Sequence, residues 1–204
     1  MKSKWMAILS IQKNKQGNSR MKKRSLNSLR KEPDSQILTR IFDSPVGPLE
    51  LFEKDRHLIG VQFQASELGS KHKARIAKRA MLLPSVSELL QETEVQLNEY
   101  FQHNRHTFTL PIQLEGTEFQ KRAWQALIDI PYGETASYSQ QAEKLGGKTY
   151  SRAVGQANHN NPIVIIVPCH RVIGKNGSLT GFGGGLDTKA WLISHESGQS
   201  QYQF

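Results

Sequence analysis

Residues 163–174 read Ile-Val-Ile-Ile-Val-Pro-Cys-His-Arg-Val-Ile-Gly and contain the only cysteine of the 204-residue chain. Five consecutive β-branched residues, 163–167, are typical of a strand covered on both faces, and Pro168 would end it because proline cannot donate to a central ladder. The pattern therefore predicts a buried strand with Cys169 at its end. His170 and Arg171 follow directly, and positive charge near a thiol favours the reactive thiolate. Cys169 is thus a candidate nucleophile.

A buried structural cysteine is the alternative, because free cysteine is among the most buried residue types. The flanking sequence favours the nucleophile. Residues 117–196 closely resemble the O6-alkylguanine-DNA alkyltransferases, and residues 37–110 resemble the smaller N-terminal domain of that family more weakly, mainly through Ser44-Pro-Val-Gly-Pro-Leu-Glu-Leu51. The matching positions after residue 117 are Arg152-Ala-Val-Gly-Gln-Ala-Asn158, Asn161-Pro162, Pro168-Cys-His-Arg-Val-Ile-Gly174, Gly177, Gly181-Phe182, Gly184-Gly185, Lys189, Leu192 and Glu196.

The resemblance implies a DNA repair protein that transfers the alkyl group of O6-alkylguanine to Cys169. The resulting thioether is stable, so each molecule would act once. The resemblance also implies that a water relays the thiol proton to His170, while Glu196 accepts from the other imidazole nitrogen and fixes the tautomer. Tyr138 matches the tyrosine that supplies the departing base with a proton or hydrogen bond at N3 and crowds the 3′ phosphate. A core tyrosine is the alternative for Tyr138.

The same resemblance implies roles in binding DNA and substrate. Arg152 matches an arginine finger that fills the vacated base stack from the minor groove after the target nucleotide has left the duplex. Asn161 matches an asparagine that ties the recognition helix to the active-site strand and so supports the site. Phe182 and Gly183 lie in a glycine-rich loop, residues 174–185, that would hold the base edge. Phe182 stands where the family usually has tyrosine, which leaves the range of alkyl sizes, and any activity on O4-alkylthymine, open.

The net charge of +9 is concentrated in the first 36 residues. These hold ten lysines and arginines and two acids, whereas the other 168 residues hold seventeen basic and sixteen acidic side chains. A polar, basic segment with few apolar residues is typical of a disordered tail. Met21 is an alternative start for the chain.

Length and composition restrict the class of protein. The chain is long enough to bury a core, and a single cysteine excludes an internal disulfide framework and a Cys-rich zinc site. No apolar run approaches the length of a membrane span. We expect a monomer without cofactor or metal, in the cytoplasm and associated with the nucleoid (nuclear in a eukaryote). The expected partner is double-stranded DNA containing O6-alkylguanine.

Hydrophobic patterns before residue 110 predict a small antiparallel sheet and a helix. Strands are expected at 37–42, 49–53 and 58–63, with turns at 44–48 and 55–56. Residues 71–79 are a basic run typical of a solvated loop or helix face. A further helix is expected after Pro84, with Ser85 and Glu88 at capping-box spacing and an apolar stripe from Val86 to Tyr100 and Phe101.

The patterns after residue 110 predict mainly helices. Thr117 and Gln120 form a second capping box before a helix that stops ahead of Pro131. Two short helices at about 137–145 and 151–158 have the spacing of a helix-turn-helix. A core helix pair gives the same pattern, but the position just before Cys169 favours the helix-turn-helix. Asp187 is expected to cap a last helix that carries Glu196.

These elements together predict an α/β two-domain fold. Residues 37–110 would form a small N-terminal α/β domain with an antiparallel sheet. Residues 111–200 would form a mostly helical domain, winged-helix or helix-turn-helix-like, that carries the active-site cysteine. Residues 1–36 would form the basic tail.

Two other functions compete with alkyl transfer. Cys169, His170 and Glu196 could serve a thiol hydrolase or acyltransferase, which would turn over activated esters and would not need Arg152. A binding-only sensor of alkyl damage would use the helix-turn-helix alone. Sensor relatives replace the cysteine, so the presence of Cys169 argues against that alternative.

Overall fold

The computed structural model describes residues 36–198, so the predicted tail up to residue 35 lies outside the described residues. The N-terminal domain is built on four strands, β1 (Gln36–Phe42), β2 (Leu49–Lys54), β3 (His57–Phe63) and β4 (Met81–Pro84). They form one sheet in the order β3-β2-β1-β4. The antiparallel strands β1, β2 and β3 confirm the predicted hairpin pattern, and β4 adds a parallel edge that was not predicted.

Two helices cover the sheet. Helix α1 (Glu67–Ala77) contains most of the basic run at residues 71–79, which therefore belongs to a helix and not to a loop. The buried Ile76 of α1 packs with Ile37, Phe52 and Ile59 on one side of the sheet. α2 (Glu88–Phe101) buries Leu90, Leu97 and Tyr100 in the main core.

The predicted cap of α2 was wrong. Ser87, not Ser85, is the N-cap, and its hydroxyl accepts from the backbone N–H of Leu90 at 3.2 Å. Pro84 is paired in β4, and the Ser85 N–H donates to the carbonyl oxygen of Thr39, so the chain is still tied to the sheet at Ser85. Val86 is 67% exposed and does not join the apolar stripe.

The C-terminal domain is mainly helical, as predicted. The capping box of Thr117 and Gln120 is present, and a second one at Ser137 and Gln140 begins the first helix of the helix-turn-helix pair. The last helix begins after Gly185, and Asp187 lies in its first turn. The prediction that Asp187 caps this helix was therefore wrong. The elements are α3 (Glu118–Ile128), β5 (Ala136–Ser137), α4 (Tyr138–Lys144), α5 (Ser151–His159), β6 (Val172–Ile173) and α6 (Leu186–Ser197). β5 and β6 form a short parallel pair.

The predicted strand at residues 163–167 was also wrong. Only Ile163 bridges a strand, next to Val61 of β3, and the chain then turns so that the Val167 N–H donates to the Ile163 carbonyl oxygen at 2.9 Å. Ile165 has φ +71°, a left-handed conformation that a ladder would not tolerate and that β-branched residues rarely adopt. All five side chains are nonetheless buried. The apolar run therefore reflects burial inside a compact turn.

One hydrophobic cluster joins the two domains. It contains residues of β2, β3 and α2 together with Trp124 of α3, the 163–167 turn and Leu192 of α6. The segment between the domains also pairs with β3, since the Leu58 N–H donates to the Pro111 carbonyl oxygen and the Gln113 N–H donates to that of Leu58. The boundary between residues 110 and 111 stays a prediction. Within residues 36–198, no helix has the length and hydropathy that a membrane span requires.

Candidate active site

Cys169 begins a single 3-10 turn, Cys169–Arg171, directly after the buried 163–167 turn. The residue is 7% exposed, and its N–H donates to the Val167 carbonyl oxygen at 2.9 Å. Asn161 closes the turn from the side. Its Nδ2 donates to the Val167 carbonyl oxygen at 2.7 Å, and its Oδ1 accepts from the Ile163 N–H at 3.0 Å. Hydrogen bonds from one amide side chain thus fix the backbone that carries the thiol.

His170 and Glu196 are brought together across 26 residues of sequence. His170 is completely buried, and its Nε2 donates to Glu196 Oε1 at 2.7 Å. The other ring nitrogen, Nδ1, is buried and has no hydrogen-bond partner within residues 36–198. With Nε2–H held by the carboxylate, Nδ1 is the nitrogen that can accept a proton.

Glu196 also pairs with Arg171. Arg171 Nε donates to Oε2 at 2.7 Å, Nη2 donates to Oε1 at 3.0 Å, and Nη1 donates to the Ile130 carbonyl oxygen. Burial raises the pKa of the Glu196 carboxyl, but the donors on His170 and Arg171 outweigh burial and hold the pKa well below its usual range. Glu196 is therefore a fixed negative charge at neutral pH.

Arg171 does not have its predicted effect on the thiol, because its guanidinium is directed at Glu196. Burial raises the pKa of the Cys169 thiol, whereas a hydrogen bond from Asn161 and the charge of Lys189 lower it. The cation that acts on Cys169 is thus Lys189, from α6, and the thiol needs a base because burial opposes its ionisation.

Lys189 carries no predicted role, because a lysine in a helix pattern usually indicates a solvated face. In the structure it is completely buried, and Nζ donates to the carbonyl oxygens of Val172 at 2.6 Å and Thr180 at 2.7 Å. Burial lowers its pKa to about 8. The only sequence signal for Lys189 is its place among the positions of the family resemblance.

Tyr138 lies at the edge of the site and Arg152 lies on the surface. Tyr138 is partly buried at the start of α4, and its hydroxyl donates to the Thr180 carbonyl oxygen at 3.3 Å. Burial raises its pKa, so the hydroxyl stays protonated at neutral pH. Arg152 is exposed in the first turn of α5. Gly155 of α5 faces the Tyr138 ring, so α5 approaches the site from that side.

The glycine loop is packed against the N-terminal domain. A Cβ on Gly183 would lie 2.9 Å from the Leu68 side chain of α1, and one on Gly184 would lie 2.6 Å from the Phe63 ring. Phe182 packs edge-on against Phe63, with ring centroids 5.6 Å apart, and its ring lies 6.5 Å from that of His170. Close packing between the two domains therefore explains why residues 183 and 184 are glycines, without a bound ligand.

Comparisons with known proteins agree on one family for both domains. Residues 118–198 match the model of the 6-O-methylguanine DNA methyltransferase DNA binding domain, and residues 37–114 match that of the ribonuclease-like domain of the same proteins. The methylated-DNA–protein-cysteine methyltransferase of Methanosarcina acetivorans is 45% identical over 156 residues, which cover 76% of this chain and 96% of the relative. That of Mycobacterium leprae is 43% identical over 163 residues, covering 80% and 94%.

Solved structures give the same result. The crystal structure of the Mycobacterium tuberculosis O6-methylguanine methyltransferase superposes with a TM-score of 0.69 at 39% identity, covering 82% of this chain and 97% of that one. A structure of Mycobacterium tuberculosis OGT in complex with DNA also gives 0.69 at 39% identity, covering 80% and 93%. Two-domain architecture, a buried cysteine beside a His–Glu pair and sequence identity over most of the chain lead to one conclusion: this chain belongs to the methylated-DNA–protein-cysteine methyltransferase family.

Proposed function

We propose that the protein repairs DNA by moving the alkyl group of O6-alkylguanine to the sulfur of Cys169, once per molecule. The observation that carries this proposal is the placement of a lone cysteine in a rigid turn, next to a buried histidine whose far nitrogen is held by Glu196 at 2.7 Å. A histidine held in this way can activate the neighbouring cysteine as a nucleophile. The family relationship identifies the reaction of that cysteine as alkyl transfer from DNA.

The proposed reaction begins with the thiol proton. It passes to Nδ1 of His170 through a water molecule, and Glu196 stabilises the imidazolium that forms. The charge of Lys189 favours the thiolate that remains. Sulfur then attacks the alkyl carbon in line with the O6–carbon bond. A carbon–sulfur bond forms, the carbon–O6 bond breaks, and its electron pair leaves with guanine, which takes up one proton.

Tyr138 is the proposed donor to the departing base. Its hydroxyl is protonated at neutral pH and lies at the edge of the site beside the glycine loop. Phe182 would pack against the base, since its ring faces His170. The ring has no hydroxyl, so its contribution would be stacking and exclusion of water.

The DNA-binding element is the α4–α5 pair, within the part of the chain that matches a DNA binding domain. Lys144, Lys148 and Arg152 are exposed along this pair. Because Cys169 is almost fully buried, a target base must leave the duplex to reach it, at a cost of a few kcal/mol for unstacking. We propose that Arg152 fills the vacated stack. We propose a monomer as the acting species.

The test is intact mass after incubation with DNA containing O6-methylguanine. We expect a gain of one CH₂ group per protein, confined to the peptide with Cys169, and no further repair once every protein has reacted. Cys169→Ser should gain nothing. Repair beyond one equivalent of substrate, or transfer by the serine variant, would contradict the proposal. Sustained turnover of an activated ester with no mass gain would instead support a thiol hydrolase.

A further inference from the structure

A tyrosine of the N-terminal domain reaches the Glu196 carboxylate. Tyr100 lies in the last turn of α2 and is completely buried. Its hydroxyl donates to Oε1 of Glu196 at 2.8 Å, and this is the oxygen that accepts from His170 Nε2 at 2.7 Å. The contact spans 96 residues of sequence and joins the two domains at the site.

The position of the Tyr100 hydroxyl is strongly fixed. The Tyr100 carbonyl oxygen accepts a hydrogen bond from His195 Nε2 at 2.9 Å, so α6 is attached to both the backbone and the side chain of this residue. Its ring packs edge-on against Phe101 and Tyr132, with centroid separations of 5.1 and 6.0 Å. The ring therefore cannot turn without disturbing the core on several sides.

Sharing one oxygen has an electrostatic consequence. A hydrogen bond to Oε1 withdraws part of its negative charge, so the Tyr100 hydroxyl weakens the attraction of that oxygen for a protonated imidazole. The bidentate contact of Arg171 already holds the carboxylate in place. The hydroxyl is therefore not needed to keep Glu196 charged or bound, and what it adds is a limit on how firmly His170 keeps a proton.

We propose that Tyr100 is a positioning residue of the alkyl-transfer site, through which the N-terminal domain orients Glu196 Oε1 and limits the retention of a proton on His170. The inference rests on the proposed function, in which His170 receives the thiol proton. Firmer retention would yield more thiolate, but a more stable thiolate is a weaker nucleophile. Tyr100 thus balances the amount of thiolate against its reactivity.

Other charged and titratable groups face the same network. Those facing Glu196 and His170 are Arg171 from the 3-10 turn, His195 from α6 and Tyr132 from the segment after α3. Those facing Cys169 are Lys189 from α6 and Tyr138 from α4. Substitution of Tyr100 by phenylalanine leaves every one of them in place and removes a single hydroxyl.

The experiment is the pH dependence of Cys169 alkylation by iodoacetamide, followed by mass. Cys169 is the only cysteine, so the reaction reports this thiol alone. In Tyr100→Phe, Oε1 carries more negative charge, the imidazolium is favoured and so is the thiolate. The midpoint of the profile should fall by about half a unit to one unit. The plateau rate should fall about two- to threefold, since the attacking sulfur is less basic.

Tyr132→Phe is the matched control. It removes the hydroxyl of a neighbouring tyrosine, which lies 3.4 Å from His103 Nδ1 and, within residues 36–198, makes no hydrogen bond to Glu196. Its profile should match that of the wild type. A Tyr100→Phe midpoint that stays in place or rises would overturn the proposal, because loss of packing alone would leave the midpoint unchanged.

A second variant covers the case in which Tyr100→Phe does not fold. Incorporation of 3,5-difluorotyrosine at position 100 keeps the hydroxyl and makes it a stronger donor, so the midpoint should rise. An unmoved midpoint would contradict the proposal. Iodoacetamide needs no guanine substrate, so these outcomes can be read even if the wild-type protein takes no alkyl group from DNA, a result that would overturn only the proposed function.

Discussion

Lys189 and Tyr138 donate to the same acceptor, the carbonyl oxygen of Thr180, at 2.7 and 3.3 Å. The ammonium nitrogen of Lys189 also lies 5.8 Å from the centre of the Tyr138 ring. One carbonyl of the glycine loop therefore connects the cation that favours the thiolate with the proposed donor to the departing base. The loop, α4 and α6 are held in one arrangement around Cys169.

Lys189→Met should slow alkyl transfer at neutral pH and move its pH profile upward. The charge of Lys189 lowers the pKa of Cys169, and its own pKa of about 8 means that this charge is present below pH 8 and is lost as the pH rises through that value. The rate with free O6-benzylguanine at pH 7 should fall on the order of tenfold, equivalent to about one pKa unit. The difference should shrink above pH 9, where the wild-type lysine is also neutral.

Lys175→Met is the control for Lys189→Met, because Lys175 is an exposed lysine in the same loop region. Its rate and pH profile should match those of the wild type. Rates of Lys189→Met that equal the wild-type rates from pH 6 to pH 9 would mean that the buried ammonium has no influence on the thiol.

Asn161→Ala should destabilise the protein and lower its activity together. The side chain satisfies two backbone groups of the buried 163–167 turn, the Ile163 N–H and the Val167 carbonyl. The Ile163 N–H would be left without a partner, whereas the Val167 carbonyl oxygen would keep only the Cys169 N–H. The free energy of unfolding should therefore fall by about 1–3 kcal/mol. Urea denaturation measures this. Asn160→Ala is the matched control, because the exposed Asn160 side chain donates only to Gln156 at the end of α5, and a loss of similar size there would contradict the argument.

The local elements were predictable from sequence because local chemistry decides them. Alternating apolar residues identified the hairpin strands, and the Thr117 and Gln120 pair identified the start of α3. The 163–167 segment was misassigned because five β-branched residues signal burial, and a buried turn and a buried strand have the same composition. The fold shows the turn through the positive φ of Ile165 and through the Val164 N–H, which donates to the carbonyl oxygen of Val61, a residue far away in the sequence.

Cys169, His170 and Glu196 could be predicted as a group only through the family resemblance, and the structure brings them together. The roles of Tyr100 and Lys189 were not predicted. Tyr100 fits an apolar helix stripe, and nothing near it indicates that its hydroxyl meets a carboxylate 96 residues away. Lys189 would be interpreted as solvated, because only the fold shows that two backbone carbonyls accept from its buried ammonium group.

Arg152→Ala should weaken repair of duplex DNA much more than reaction with free O6-benzylguanine. The exposed Arg152 lies on α5, and only the duplex requires the target base to be extruded. Extrusion costs a few kcal/mol, so repair of duplex DNA should slow by about tenfold to a hundredfold. Arg56→Ala, at an exposed turn of the N-terminal sheet, is the control and should leave both rates unchanged. Equal losses on the two substrates would assign Arg152 to the integrity of the site instead.

Removal of residues 1–34 should weaken encounter with DNA and leave the chemistry intact. That segment holds ten basic side chains and two acids, whereas every residue proposed for the reaction follows it by at least 60 positions. Positive charge near phosphates raises DNA affinity by releasing counterions, so the affinity falls steeply with salt, with a slope of about 0.9 per phosphate contact. A chain that begins at Ser35 should react with free O6-benzylguanine at the full-length rate and bind duplex DNA more weakly at low salt. Its dependence of log affinity on log salt concentration should be shallower. Paired binding titrations over a salt series test this, and superimposable slopes for the two chains would mean that the basic segment does not contact DNA.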